Sequence, residues 1–213
     1  MPAEILKLNS STPEPNLVAY VADRLRAGQV VSVPTDTFYG LAADPLNLRA
    51  VDRIYDIKSR QRQKALSLMI DSIDMAEMLA AEISKDFELL AEKFWPGPLT
   101  IIVRASSRLP LRVTANTGNV ALRVPAAEIP ISIIKKAGFP ITATSANLSG
   151  ESECTTASEV REQLGDRIPL IVDGGTSPRT VASTIVDLSS ADGDWRVIRP
   201  GAISVDDVTA VLG

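Results

Sequence analysis

Residues 16–34 read NLVAYVADRLRAGQVVSVP, and the reading of this stretch decides the fold. Leu17, Val18, Val21 and Leu25 recur at helical spacing, Asn16 is a candidate cap and Gly28 a stop signal. Gln29–Val33 is then a short run rich in valine that Pro34 ends, as a buried strand would be. A helix running directly into a buried strand is the alternation of an α/β protein.

The alternation continues along the chain. Asn47 is placed to cap a helix through Val51, Ile54 and Tyr55. A strand is predicted at about Leu66–Ile70, with helical segments at Met75–Ala81 and Lys85–Phe94. Pro96, Gly97 and Pro98 break the chain before a strand at Leu99–Val103. Further strands are predicted at Val120–Val124, Ile141–Thr144, Leu170–Val172, Thr184–Leu188 and Trp195–Ile198, and a last helix at Asp206–Leu212. Strands outnumber helices, and some connections are too short for parallel crossovers. The expected fold is therefore α/β, a twisted mixed parallel and antiparallel sheet flanked by helices. No internal repeat or Pro/Gly/Ser-rich linker divides the chain, so residues 1–213 are expected to form a single domain.

Composition removes several chemistries. The 213 residues contain no histidine, which excludes Ser-His-Asp and Cys-His catalysis and His-ligated zinc. One cysteine, Cys154, excludes an internal disulfide and a thiolate metal cluster. Lys plus Arg is 22 against 26 for Asp plus Glu, and the net charge of −4 argues against a surface that binds nucleic acid throughout. No apolar run approaches the ~18–20 residues that span a bilayer, and Met1–Asn16 lacks a signal-peptide core. A cytoplasmic location without membrane attachment is expected.

Positive charge nevertheless collects in two windows. Lys58, Arg60, Arg62 and Lys64 occur at every second position, with no acid between Asp56 and Asp71. In an extended segment they would share one face and suit a polyanion such as triphosphate. Equally, they form a solvated basic stretch after a helix C-terminus. The second window, Lys93–Ala127, has no acid and ends near Arg123 in the apolar run VALRVP. An arginine there either pairs with a buried carboxylate or faces a ligand.

Neither the P-loop nor the dinucleotide fingerprint occurs. Three polar loops after predicted strands are the alternatives: Pro34–Gly40, Ser145–Gly150 and Arg199-Pro200-Gly201. Each alone has the composition of an ordinary turn.

Together the stretches resemble the YrdC-like family of threonylcarbamoyl-adenylate synthases. VPTDTFYGLAAD is similar to its P-T-[DE]-T-x-Y-G-L signature, Lys58-Ser59-Arg60 to its K-x-R, and Ser145-Ala146-Asn147 to its S-x-N. FWPGPLTIIV, VALRVP, STIVDLS and VIRPG resemble further family segments, in order. Many relatives carry proline where this chain has Gln61 and Ala65, which loosens that segment. The chain resembles the short, single-domain form.

The resemblance implies a nucleotidyltransferase that joins L-threonine, bicarbonate (or CO2) and ATP into threonylcarbamoyl-AMP and pyrophosphate. A downstream transferase then uses the product to modify the adenosine beside the tRNA anticodon. It implies that Lys58 and Arg60 clamp the phosphates and the carbamate end, with Arg62 or Lys64 assisting. Ser145, Asn147, Arg199 and Asn119 would bind ATP, and Thr35, Arg123 and Ser183 would bind L-threonine. Magnesium is expected with ATP, with no protein metal ligands and no organic cofactor. As exposed cations, Lys58 and Arg60 are expected to matter for activity and little for stability. Phe38 and Tyr39 could wall the pocket, Phe38 being the more suited to the core. Two other readings remain: a carbamoyl-transferring domain of hydrogenase maturation, disfavoured because its companion modules are missing, and a non-catalytic paralogue that binds tRNA or double-stranded RNA.

Overall fold

In the computed structural model, which describes residues 2–59, 61, 65–178 and 181–213, the chain opens with β1 (Glu4–Lys7). This strand is mostly exposed and lies at a sheet edge, so it carries no apolar alternation to read. Helix α1 (Pro15–Arg26) buries Val18, Val21, Ala22 and Leu25. It starts before Asn16: Glu14 is the cap and Pro15 occupies the first turn, where its missing N–H costs nothing. Strand β2 (Val31–Val33) follows, wholly buried, and β3 (Gly40–Ala42) returns antiparallel to it, Val33 opposite Gly40. Residues 34–39 are thus the loop of a β-hairpin.

Helix α2 (Leu48–Lys58) is capped by Asn47, whose side chain accepts from the Ala50 amide at 3.2 Å. It ends at Ser59, which is left-handed with φ 52°. Then come β4 (Ser67–Met69), α3 (Ile73–Leu79) and α4 (Lys85–Phe94), the two helices capped by Ser72 and Ser84. β5 (Leu99–Arg104), the short α5 (Leu111–Thr114) and β6 (Asn119–Arg123) lead to α6 (Glu128–Ala137). β7 (Ile141–Thr142), β8 (Thr144–Ser145), α7 (Ala157–Leu164), β9 (Leu170–Asp173), β10 (Thr184–Asp187), β11 (Arg196–Arg199) and α8 (Val205–Leu212) complete the chain.

The strands form two mixed sheets. One has the order β1-β9-β2-β3-β8, with β1, β9 and β2 parallel and β3 and β8 antiparallel additions. The other has the order β11-β10-β5-β6-β4-β7 and alternates antiparallel with parallel pairs. The strand predicted as Ile141–Thr144 is divided at Ala143, where the chain leaves one sheet for the other. Thr142 joins the two: its hydroxyl donates to the Leu41 carbonyl at 2.9 Å and accepts from the Ala43 amide at 3.0 Å. Buried side chains from both sheets and the helices form one continuous core, with Tyr39, Tyr55 and Phe87 among its largest members. No helix of the described residues is long and apolar enough to cross a membrane.

Candidate functional site

The hairpin loop 34–39 is folded on its own hydroxyls. Thr35 Oγ1 donates to the Phe38 carbonyl at 2.7 Å and accepts from the Thr37 amide at 3.1 Å, a local side-chain turn. Thr37 Oγ1 lies 3.1 Å from Thr35 Oγ1. Across from them, at the end of β6, each of the three guanidinium nitrogens of Arg123 makes a hydrogen bond. Nε donates to the Gly97 carbonyl at 2.9 Å, Nη1 to Thr37 Oγ1 at 3.0 Å and Nη2 to Asp36 Oδ1 at 2.6 Å. Both partners of the ion pair are buried. Arg123 also lines a cavity of about 300 Å³. Of the two readings of Arg123, the pairing with a buried carboxylate is the one observed, and the guanidinium also lines this cavity.

This cavity lies between the sheets. β5, β6 and β10 give it Thr100, Ala121 and Ile185, the hairpin loop Thr35, Thr37 and Phe38, and β8 Ser145. Ser183 and Arg199 close one wall. Ser183 Oγ lies 2.8 Å from Thr100 Oγ1, and Arg199 Nη2 donates to the Ser183 carbonyl at 2.8 Å and to its hydroxyl at 3.1 Å. Burial lowers the pKa of Arg199, and the Glu153 carboxylate, which also lines the cavity, opposes that shift. The Arg-Pro-Gly turn has a steric reason: a Cβ on Gly201 would stand 2.4 Å from the Ala182 carbonyl oxygen and 2.6 Å from the Ser183 carbonyl carbon. Gly201→Ala is expected to push the backbone of Ser183 away from its place and cost about 1–3 kcal/mol, read from chemical denaturation.

A second hollow, about 450 Å³, adjoins the first through Ser145 and is lined by Lys58, Ser59, Gln61, Asn147, Ser149 and Gly150. Ser145 Oγ donates to Asn147 Oδ1 at 2.6 Å, and Asn147 Nδ2 donates to the Glu151 carbonyl at 2.6 Å. Lys58 departs from its expected role as an exposed cation. It is the last residue of α2, 3% exposed, and Nζ donates to the Asn147 carbonyl at 2.8 Å, to Asn147 Oδ1 at 3.0 Å and to the Ser145 carbonyl. Because Lys58 is helical and Ser59 left-handed, an extended row beginning at Lys58 does not form. Arg60, Arg62 and Lys64, also assigned to that row, lie outside the described residues.

The structure thus gathers Thr35, Arg123, Ser183, Arg199 and Ser145 around one cavity, and Lys58 and Asn147 beside it. Asn119 is not brought to them. It begins β6 opposite Arg104, at the other end of the strand from Arg123, and its Nδ2 donates to Ser189 Oγ at 2.9 Å. Phe38 and Tyr39 both line the cavity, but it is Tyr39 and not Phe38 that joins the core. Tyr39 is the core residue, wholly buried, its hydroxyl donating to the Gly175 carbonyl at 2.6 Å and its pKa pushed by burial up to about 12. Phe38 is half-buried and lines the cavity. Thr37, Thr100 and Glu153 line it too, and as common polar residue types they carry no signal of that in the sequence. Burial pushes the Cys154 thiol up to about 11, which keeps it protonated and unreactive at neutral pH. Among the described residues no group of three or more Cys, Asp or Glu is placed to hold a metal ion.

The family grouped as Sua5, YciO and YrdC, described as telomere recombination, matches residues 23–201. The chain is 38% identical to the threonylcarbamoyl-AMP synthase of Pyrococcus abyssi over 92% of its own length and 57% of the relative's. It is 40% identical to the threonylcarbamoyl-AMP synthase of Bacillus subtilis, over 95% and 58%. The crystal structure of P. abyssi Sua5 complexed with L-threonine superposes with a TM-score of 0.94 at 36% identity, covering 99% of this chain and 61% of that one. The chain spans a little over half the length of these relatives.

Proposed function

The chain belongs to the Sua5/YciO/YrdC family, and from that premise we propose that it is a nucleotidyltransferase forming threonylcarbamoyl-AMP and pyrophosphate from L-threonine, bicarbonate and ATP. The observation that carries this reading is the one cavity in which Arg123, Thr35 and Ser183 face Ser145 and Arg199, with the Lys58–Asn147 hollow opening beside it. It offers an amino-acid end and a nucleotide end in contact with each other.

The chemistry suits a site without histidine. The threonine amine attacks carbon dioxide with loss of a proton, or bicarbonate with loss of water, to give a carbamate, and a carbamate oxygen attacks the α-phosphorus while pyrophosphate leaves. Neither step needs a protein nucleophile. Both need reactants held in line, charge neutralised and water excluded. Arg123 would take the threonine carboxylate, with Thr35 and Ser183 beside it. Ser145, Asn147 and Arg199 would hold the nucleotide, with Arg60 and Arg62 as further phosphate ligands. Magnesium would enter on the triphosphate as part of the substrate, without a cluster of protein carboxylates to hold it. Residues 1–213 would act as one catalytic domain in the cytoplasm, passing the product to a separate tRNA-modifying transferase. Mass spectrometry of reactions containing ATP, L-threonine and bicarbonate is expected to show threonylcarbamoyl-AMP, and none when any one is omitted. No product, together with salt-sensitive RNA binding, would replace this reading with that of an RNA-binding paralogue.

A further inference from the structure

We infer that Glu153 makes the nucleotide end select ATP carrying a divalent cation over the bare nucleotide, with its carboxylate as a ligand to that cation. The inference deepens the proposed function and rests on it. Among the described residues, three charged side chains line the cavity between the sheets: Arg123, Arg199 and Glu153. The two cations suit the anions assigned to them, and the carboxylate does not. Its place is set by the backbone on both sides. Asn147 Nδ2 donates to the Glu151 carbonyl at 2.6 Å, and the Tyr39 amide donates to the Cys154 carbonyl at 2.8 Å. Glu153 therefore stands between the Ser145–Asn147 loop and the hairpin loop. Arg199 is within reach of its charge: burial lowers the pKa of Arg199, and Glu153 opposes that shift. Ser145, Asn147 and Arg199 are the residues proposed to hold the nucleotide.

A carboxylate in that position has two uses. As a counter-ion it would close on Arg199, yet among the described residues no ion pair or hydrogen bond engages the exposed Glu153 side chain. Its charge is left to act on whatever enters the cavity. A bare triphosphate brought to Arg199 is repelled by it, and where water is partly excluded that repulsion is stronger than in solution. A divalent cation on the phosphates reverses the sign. Magnesium takes oxygen ligands and is typically held by one or two carboxylates together with substrate phosphates. Among the described residues no group of three or more acidic side chains is placed to hold the ion without the nucleotide. The cation would thus arrive on the substrate, and Glu153 would meet it there.

The test titrates ATP into the protein by calorimetry, in excess magnesium or in EDTA, without L-threonine or bicarbonate so that no adenylate forms. Wild type is expected to bind ATP about tenfold more tightly or better in magnesium. In Glu153→Gln the ratio is expected to fall towards one from both sides, with weaker binding in magnesium and stronger binding in EDTA. The side chain is exposed, so this variant should melt close to wild type. Glu151→Gln removes the same charge from an exposed position of the same loop that lines neither hollow, and is expected to keep the wild-type ratio. Equal wild-type affinity in magnesium and EDTA overturns the inference. So does an equal fall of the ratio in Glu151→Gln, which would make the effect one of net charge. If Glu153→Gln weakens both titrations equally, its role is only structural and the inference is overturned. A wild-type protein that makes no threonylcarbamoyl-AMP from the full mixture overturns the proposed function itself, and the inference with it. Synthesis with an unchanged ratio in Glu153→Gln overturns the inference alone.

Discussion

Arg123→Ala is expected to lower the unfolding free energy by about 3–5 kcal/mol and to abolish L-threonine binding. The stability loss follows from the buried ion pair: removing the guanidinium leaves Asp36 charged, buried and uncompensated. The Gly97 carbonyl and Thr37 hydroxyl lose a donor at the same time. The binding loss follows from the proposed function, in which Arg123, a cation lining the cavity, takes the threonine carboxylate. Arg123→Lys separates the two effects. An ammonium keeps the charge opposite Asp36, so stability should fall much less than in the alanine variant. It cannot reach Gly97, Thr37, Asp36 and a ligand carboxylate as a planar fork does, so threonine binding should weaken about tenfold or more. Denaturant titration and calorimetry on the same two proteins check both halves. Unchanged threonine affinity in the lysine variant would leave Arg123 a purely structural residue.

What could be read in advance divides along physical lines. Helices with a Ser, Thr or Asn cap and one apolar face announce themselves, as α2 does through Asn47. Helix α6 did not, because Ile129, Ile131, Ile133 and Ile134 surround Pro130, and that composition resembles a strand. Helix α7 did carry a signal, a capping box in which Thr156 and Glu159 satisfy each other's amides. Strand β3 was hidden for another reason: Gly40, Leu41 and Ala42 are buried on both faces and do not alternate. The same limit applies to β7 and β8, a single run in sequence that the Ala143 step shares between two sheets.

The site was legible where residue type restricts use. Arginine within an apolar strand has few explanations, and Arg123 meets one of them, the buried carboxylate, at the wall of a cavity. Hydroxyls carry less information, since Thr35 and Thr37 look alike on paper and only the fold shows that Thr37 touches Arg123. Asp36 sits between them, the one carboxylate of that candidate loop, and only the fold shows that it is the partner of Arg123. Lys58 is buried although charge alone suggests exposure. The position of the helix end, and the carbonyls that converge on it, are facts of the tertiary fold.

Lys58→Ala is accordingly expected to reduce both stability and nucleotide binding. The ammonium offers three N–H donors, and the Asn147 carbonyl, Asn147 Oδ1 and the Ser145 carbonyl converge on it. Deleting it leaves these acceptors short of a donor at a buried position, at roughly 1–3 kcal/mol each, though not additively, because the loop can shift into the adjoining hollow. That shift is the functional consequence. Ser145 and Asn147 line the proposed nucleotide end, so a loop released from Lys58 presents them in the wrong place even if no phosphate touches the lysine. A lysine acting only as an exposed phosphate ligand makes the opposite forecast, lost ATP binding with a melting temperature close to wild type. Lys58→Met sharpens the contrast, since it keeps the buried aliphatic stem and removes only the ammonium. If the methionine variant melts as the wild type does while losing ATP, Lys58 works on the phosphates directly. If it melts lower and ATP binding falls with it, Lys58 acts by fixing the Ser145–Asn147 loop from beneath.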